Sequence, residues 1–132
     1  MTAGARDWLG LLVWAVLLGP AQAAPECWSA LGVAVRVVDG DTFIARLKIW
    51  HGLEVTERIR LLGVDTPERK EPTLKRALQA KAFTDRWLGQ EPFEVRSCAR
   101  DSFGRALATV RRGGDDLAEK LLEAGLAAPY RR

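Results

Sequence analysis

One histidine and two cysteines are all the imidazole and thiol ligands in the 132 residues, and they share no ligand spacing. A zinc-type centre is therefore not expected. His51 reads as part of an exposed turn, Trp50-His51-Gly52, rather than as a catalytic group. Internal repeats and low-complexity stretches are absent. The longest apolar run, Trp8 to Leu18, falls short of the roughly 18 to 20 residues that span a bilayer. Charge of one sign does not dominate either: 20 Lys and Arg face 17 Asp and Glu, a formal net charge of +3. That balance permits a polyanionic partner without demanding one. Hydrophobic residues at 48% and charged residues at 28% exclude a disordered chain, a collagen-like repeat and a polytopic membrane protein, and leave one packed domain.

The beginning of the chain has the layout of a secretory signal peptide: Arg6, the apolar run Trp8 to Leu18, Gly19-Pro20, and the small residues Ala21-Gln22-Ala23. Cleavage after Ala23 is expected, leaving residues 24–132 as the working domain, exported to a periplasm or secreted, with no stable membrane association. The lipoprotein pattern is lacking before Cys27. In an oxidising compartment Cys27 and Cys98 are the one possible intramolecular pair, whereas a reducing cytosol would leave them as small core residues.

From Val33 the pattern has period two and is rich in β-branched residues. Val33 to Val38 reads as a strand, Asp39-Gly40 as a tight turn, and Thr42 to Ile49 as the partner strand, with Phe43, Ala45 and Leu47 on one face. Glu54 to Val64 reads as a third strand whose apolar end, Leu61 to Val64, suggests burial on both faces. Thr73 to Leu88 switches to helical spacing, with Leu74, Ala77, Leu78, Lys81, Ala82, Trp87 and Leu88 along one side and Gly89 as the stop. Phe93 to Cys98 and Arg105 to Arg111 read as two further strands. Asp115 or Asp116 caps a final helix bearing Leu117, Leu121, Leu122 and Ala124 and ending at Gly125. The order β-β-β-α-β-β-α fits an α+β, mainly β fold, a five-stranded Greek-key barrel of the OB type with two helices. A twisted sheet packed on two helices fits almost as well.

Acidic and guanidinium side chains fall at element ends, where they can converge on a cleft. Asp41 follows the first turn, Arg60 lies in the third strand, Asp65 and Glu68 lie just beyond it, and Arg105 opens the fifth. Asp41 and Asp65 with a nearby backbone carbonyl are oxygen ligands suited to a hard divalent cation. Guanidinium forks suit phosphate oxygens, and Glu68 is free to orient or deprotonate a water. Each piece alone has a plainer reading. Asp39-Gly40-Asp41-Thr42 is ordinary hairpin chemistry, Asp65-Thr66-Pro67-Glu68 resembles a helix start, and Asp101 to Arg105 resembles any glycine-containing turn.

The strings VVDGDTF (Val37 to Phe43), RIRLLGVDTPE (Arg58 to Glu68), AKAFTDRW (Ala80 to Trp87), DSFGRALATV (Asp101 to Val110) and LLEAGLA (Leu121 to Ala127) together resemble the staphylococcal nuclease (thermonuclease) family, in its order and with similar spacing. The resemblance covers Val33 to Ala128. It implies the family's OB barrel and a calcium-dependent nuclease that cuts DNA and RNA with little sequence preference, the 5′-oxygen leaving to give 3′-phosphate ends. The competing expectation is an exported OB module that binds nucleic acid without cutting it. By resemblance Asp41, Asp65 and the carbonyl of Thr66 hold Ca2+, Glu68 activates or positions the attacking water, and Arg60 and Arg105 grip the scissile phosphate. Asp39 tunes the site. Phe103 and Tyr130 match the family's nucleotide-contacting aromatics more weakly. The family's third helix is expected to be missing, the working state to be a monomer, and no protein partner is evident. Because the strands carrying Cys27 and Cys98 lie close in the resembling fold, a disulfide between them is expected.

Overall fold

A computed structural model describes residues 19–20 and 24–131. The expected signal segment, with its run Trp8 to Leu18 and Ala21-Gln22-Ala23, lies outside the described residues apart from Gly19 and Pro20. No helix among the described residues is long and apolar enough to cross a membrane.

Eight strands and two helices follow in chain order: β1 (Trp28–Asp39), β2 (Thr42–Trp50), β3 (Leu53–Leu61), β4 (Val64–Asp65), α1 (Leu74–Leu88), β5 (Phe93–Arg100), β6 (Ala106–Arg112), β7 (Asp115–Asp116), α2 (Leu117–Glu123) and β8 (Ala128–Pro129). Strands β3, β2, β1, β5 and β6 lie side by side in that order, and a parallel pairing of β3 with β6 closes them into a five-stranded mixed barrel. This is the OB architecture expected from the sequence, and the twisted open sheet is excluded by the closure. The alternation works as expected: Phe43, Ala45 and Leu47 of β2, Ile59 and Leu61 of β3, and Phe93, Val95, Ala106, Ala108 and Val110 fill the interior. Phe43 and Phe93 meet edge to face, their centroids 5.7 Å apart.

Strand β1 starts at Trp28, earlier than expected, because its first residues pair with β5 from Trp28↔Ser97 to Gly32↔Phe93. Just outside that ladder Cys27 and Cys98 form a disulfide. His51 sits, as expected, in an exposed turn between β2 and β3.

The expected third strand is too long. It ends at Leu61, and Leu62-Gly63 turn the chain before β4, leaving Leu62 exposed rather than buried on both faces. Gly63 has φ +81°, a backbone that a side chain resists. Helix α1 also presents a different face from the expected one: Ala77, Ala80, Thr84 and Leu88 are buried, while Leu78 and Ala82 face solvent. The barrel comes too close for larger residues there. A Cβ on Gly40 would meet Ala80 Cβ at 2.7 Å and Thr66 Cγ2 at 2.9 Å. In the same place Thr84 Oγ1 donates a 2.5 Å hydrogen bond to the Gly40 carbonyl. The helix thus presses and pins the β1–β2 turn from which Asp41 projects.

Asp116 caps α2 by accepting from the Glu119 N–H at 3.1 Å, as the sequence suggested. Residues 128 and 129, to which the sequence assigns no element, pair with β4 in the register Val64↔Pro129 and Asp65↔Ala128. Arg112 is likewise more than a turn residue. Its guanidinium donates to the carbonyls of Trp87, Leu88 (2.7 Å), Glu91 (2.8 Å) and Pro92 (3.2 Å) and lies over the Trp87 ring. It caps the end of α1 and fastens it to β5.

Candidate active site

Five separate segments deliver polar side chains to one cleft of about 490 Å³ at the end of the barrel. The β1–β2 turn brings Asp39 and Asp41, β3 brings Arg60, and β4 with the loop after it brings Asp65, Thr66, Glu68, Arg69 and Lys70. The β5–β6 turn brings Arg105, and the segment after β8 brings Tyr130. Each of the expected metal and catalytic residues, and Tyr130, lines this cleft. Phe103 does not. Its ring is 77% exposed just outside, with the Arg105 guanidinium 5.2 Å above its centroid.

Asp41 is buried and held from three sides. Its Oδ1 accepts from Thr42 Oγ1 at 2.9 Å, its Oδ2 accepts from the Thr66 N–H at 3.0 Å, and its carbonyl accepts from the Leu61 N–H at 2.9 Å. Asp65 is looser, its side chain 55% exposed. Arg60 Nη2 lies 3.5 Å from Asp41 Oδ2 and 3.1 Å from Asp65 Oδ1, while its Nη1 donates to the carbonyls of Leu61 and Val64, both at 2.7 Å. Arg60 therefore clamps the β3–β4 turn and joins the two carboxylates across it. Burial, and then the Asp41 charge, raise the Asp65 carboxyl above its ordinary 3.8, against the opposing pull of Arg60. Negative charge at this end of the cleft is in surplus.

Only pairs of carboxylates meet in this way: among the described residues no cluster of three or more His, Cys, Asp and Glu side chains is placed to hold a metal ion. Two hard carboxylate oxygens with backbone carbonyls and water to complete the shell suit calcium chemistry, and they do not suit zinc.

Glu68 is 71% exposed at the rim, its Oε2 in an ion pair 2.8 Å from Lys70 Nζ. Hydrogen bonding and then charge attraction from Glu68 raise the Lys70 pKa. Arg69 makes a similar bridge, 2.7 Å to Asp39. Neither basic residue was singled out by the sequence reading, since nothing in a linear string pairs Arg69 with Asp39 thirty residues earlier.

Arg105 stands opposite these acids. Its Nε donates to Asp101 Oδ2 at 2.6 Å, and its Nη1 lies 3.5 Å from Thr42 Oγ1. Its Nη2 has no partner among the described residues, and the residue lines the cleft. Asp101, whose side chain is 0% exposed, also accepts from the N–H groups of Phe103 and Arg105, both at 2.9 Å. It is a positioning residue that the sequence showed only as a turn aspartate. Burial pushes the Asp101 carboxyl upward, but hydrogen bonds from the Arg105 backbone and side chain and from Phe103 outweigh it and hold the carboxyl below 3.8. A depressed folded pKa adds stability that is present above the unfolded value and disappears as pH falls through the folded one. Asp101→Asn is accordingly expected to melt well below wild type at pH 7, with the gap narrowing toward roughly pH 3. Melting curves at the two pH values check this, and a gap that widens in acid would contradict it.

Comparison with known proteins agrees with this arrangement. Residues 58–132, which carry Arg60, Asp65, Glu68 and Arg105, match the family model described as Staphylococcal nuclease homologue. The chain is 36% identical over 98 residues to the thermonuclease of Staphylococcus hyicus, covering 70% of this chain and 55% of that protein. It is 38% identical over 97 residues to the thermonuclease of Staphylococcus intermedius, with the same 70% and 55% coverage. The chain thus spans about half the length of these curated relatives. With the matched segment, the closed barrel and the cleft all in agreement, the chain belongs to the staphylococcal nuclease homologue family.

Proposed function

We propose that this protein is an exported, calcium-dependent nuclease that hydrolyses phosphodiester bonds of DNA and RNA with little sequence preference. The observation that carries the reading is that one cleft is lined by two carboxylates, Asp41 and Asp65, and by the guanidinium of Arg105. Asp41 and Asp65, with the Thr66 carbonyl, are the residues that would hold Ca2+. Bound there, the ion would supply Lewis-acid stabilisation to a phosphate oxygen.

The chain's own groups divide the remaining work. Arg105 offers two Nη groups to the oxygens of the scissile phosphate, where charge accumulates as water adds to phosphorus. Arg60 fixes the carboxylates and adds positive charge beneath the same position. Glu68 takes a proton from the attacking water or orients it, the bond from phosphorus to the 5′-oxygen breaks, and that oxygen is protonated by solvent. The product is a 3′-phosphate end. Compartment follows from the same reading: the Cys27–Cys98 disulfide and the leader-like residues 1–23 support export to an oxidising space.

A second reading, a module that binds nucleic acid without cutting it, draws on the exposed Glu68 and its bond to Lys70. Arg105→Lys separates the two. Lysine keeps the charge and loses the planar fork, so kcat is expected to fall about 10²-fold while affinity for single-stranded DNA changes little. Rates from single-turnover cleavage, alongside an equilibrium binding titration, are the measurement. Unchanged cleavage in Arg105→Lys removes its proposed role, and affinity without any wild-type cleavage establishes the binding module. The 3′-phosphate is checked by labelling the new ends before and after phosphatase treatment.

A further inference from the structure

Arg58 lies two residues before Arg60 on β3 and on the same outward face, because Ile59 and Leu61 between and beyond them point into the barrel. The two positions are separated by about 7 Å along the strand, comparable with the step between successive phosphates of an extended single strand. Arg58 is exposed, and its side chain has no ion-pair or hydrogen-bond partner among the described residues. Four other cations are ion-paired: Arg46 with Glu54 at 3.5 Å, Arg100 with Glu57 at 2.7 Å, Arg69 with Asp39 and Lys70 with Glu68.

Neighbouring strands extend the row. Across β2, Arg58 pairs with Ile44, and Ile44 pairs in turn with Arg36 of β1, which is also exposed and whose side chain has no ion-pair or hydrogen-bond partner among the described residues. On the other side the parallel ladder runs Ile59↔Ala106 and Arg60↔Leu107, so the positions just before it are Arg58 and Arg105. Arg105 Nη1 reaches Thr42 Oγ1, and Thr42 is the cross-strand partner of Arg60, so this guanidinium meets the β2–β3 pair at the level of Arg60, two residues along the strand from Arg58. The row Arg58-Ile44-Arg36 contains no acid. Its two guanidinium groups carry positive charge away from the cleft, Arg36 at a groove that it shares with Lys81 and Asp85 of α1.

We propose that Arg58, supported by Arg36, is a binding subsite for an internucleotide phosphate adjacent to the scissile one, so that a single-stranded polynucleotide runs from the cleft across the outer faces of β3 and β2. This deepens the nuclease reading and rests on it for the position of the scissile phosphate. Arg58 contacts a phosphate that does not react, so it contributes binding and not chemistry.

The test compares two substrates with calcium present: a dinucleoside monophosphate, whose one phosphate must be the scissile one, and a DNA strand of about ten nucleotides. Arg58→Ala is expected to raise KM for the longer strand about five- to tenfold at unchanged kcat, with the dinucleotide unaffected. It should also flatten the salt dependence of strand binding by about 0.7 in the logarithmic slope. Arg96→Ala, an equal charge change on β5 away from the row, should do neither. Equal losses on both substrates, or a change no greater than that of Arg96→Ala, would overturn the subsite. Should wild type cleave neither substrate, the nuclease reading fails by itself. The anisotropy-measured Kd for the longer strand then judges the subsite: a larger loss in Arg58→Ala than in Arg96→Ala sustains it, and equal losses overturn it.

Discussion

Glu68→Gln is expected to lower kcat on single-stranded DNA by about 10²- to 10⁴-fold with KM little changed. Glutamine keeps the size and hydrogen-bonding reach of the side chain but cannot take a proton from water. The structure adds a condition to this expectation. Glu68 lies on the loop between β4 and α1, which Thr73 ties back through Oγ1 bonds to the carbonyls of Glu68 (2.7 Å) and Lys70 (2.9 Å). The backbone is therefore fixed while the carboxylate is turned to Lys70 at the rim. Because that pair is solvent-exposed, water screens it, and releasing Glu68 toward the cleft is a small step beside the chemical barrier. Lys70→Met should leave kcat within a few fold of wild type. Pre-steady-state cleavage rates for both variants are the check: a Glu68→Gln enzyme at wild-type rate would remove Glu68 from the mechanism.

Removing the disulfide is expected to have the next largest effect. The bridge closes a loop between residues 71 apart in sequence. In the chain-entropy account such a cross-link stabilises the fold by about 4 kcal/mol. Cys27→Ser with Cys98→Ser should then lower Tm by about 20 °C. The local cause is visible: β1 joins β5 through only the five pairs from Trp28↔Ser97 to Gly32↔Phe93, and the bridge seals the open end of that ladder. Thermal melting of the double variant, and of wild type with and without a thiol reductant, measures the effect. Equal Tm in all three samples would show that the ladder closes without the bridge.

How much of this was legible from the residues depends on what fixed each feature. Strands β2 and β6 alternate because one face of each lines the barrel, and their period survives in the sequence. The buried face of α1 does not, since it is set at Ala80 and Thr84 by closeness to Gly40 and not by hydrophobicity. The stop at Gly63 lies inside an apolar run that reads as continuous strand. Only the Arg60 clamp on Leu61 and Val64 shows why the chain turns there. The short β4–β8 pair is backbone bonding between distant residues and leaves no pattern in either segment.

The site shows the same division. Asp41, Asp65, Glu68, Arg60 and Arg105 were assigned from family strings, and the fold brings all five to one cleft. Their supports are set by three-dimensional neighbours that no spacing reveals: Asp101 behind Arg105, Lys70 on Glu68, Arg69 on Asp39. Arg111 and Arg112 look interchangeable in sequence as an exposed basic pair. The structure separates them, because Arg112 fastens α1 to β5 while Arg111 lies 3.5 Å from Asp116 at the surface. Arg112→Ala is therefore expected to cost about 2 kcal/mol of stability, read as a lowered denaturant midpoint, with the folded protein's kcat preserved.

The proposed function turns on a cation site, formed by Asp41 and Asp65, that serves phosphodiester hydrolysis. Its most direct test is a calcium titration of single-stranded DNA cleavage by the protein lacking residues 1–23, for wild type and Asp41→Asn, each starting in chelator. The expected result is no cleavage in chelator, saturable activation of wild type by calcium, and an Asp41→Asn curve displaced to higher calcium because one charged oxygen has become a neutral amide. Cleavage that persists undiminished in chelator, or superimposable calcium curves for the two proteins, would contradict it.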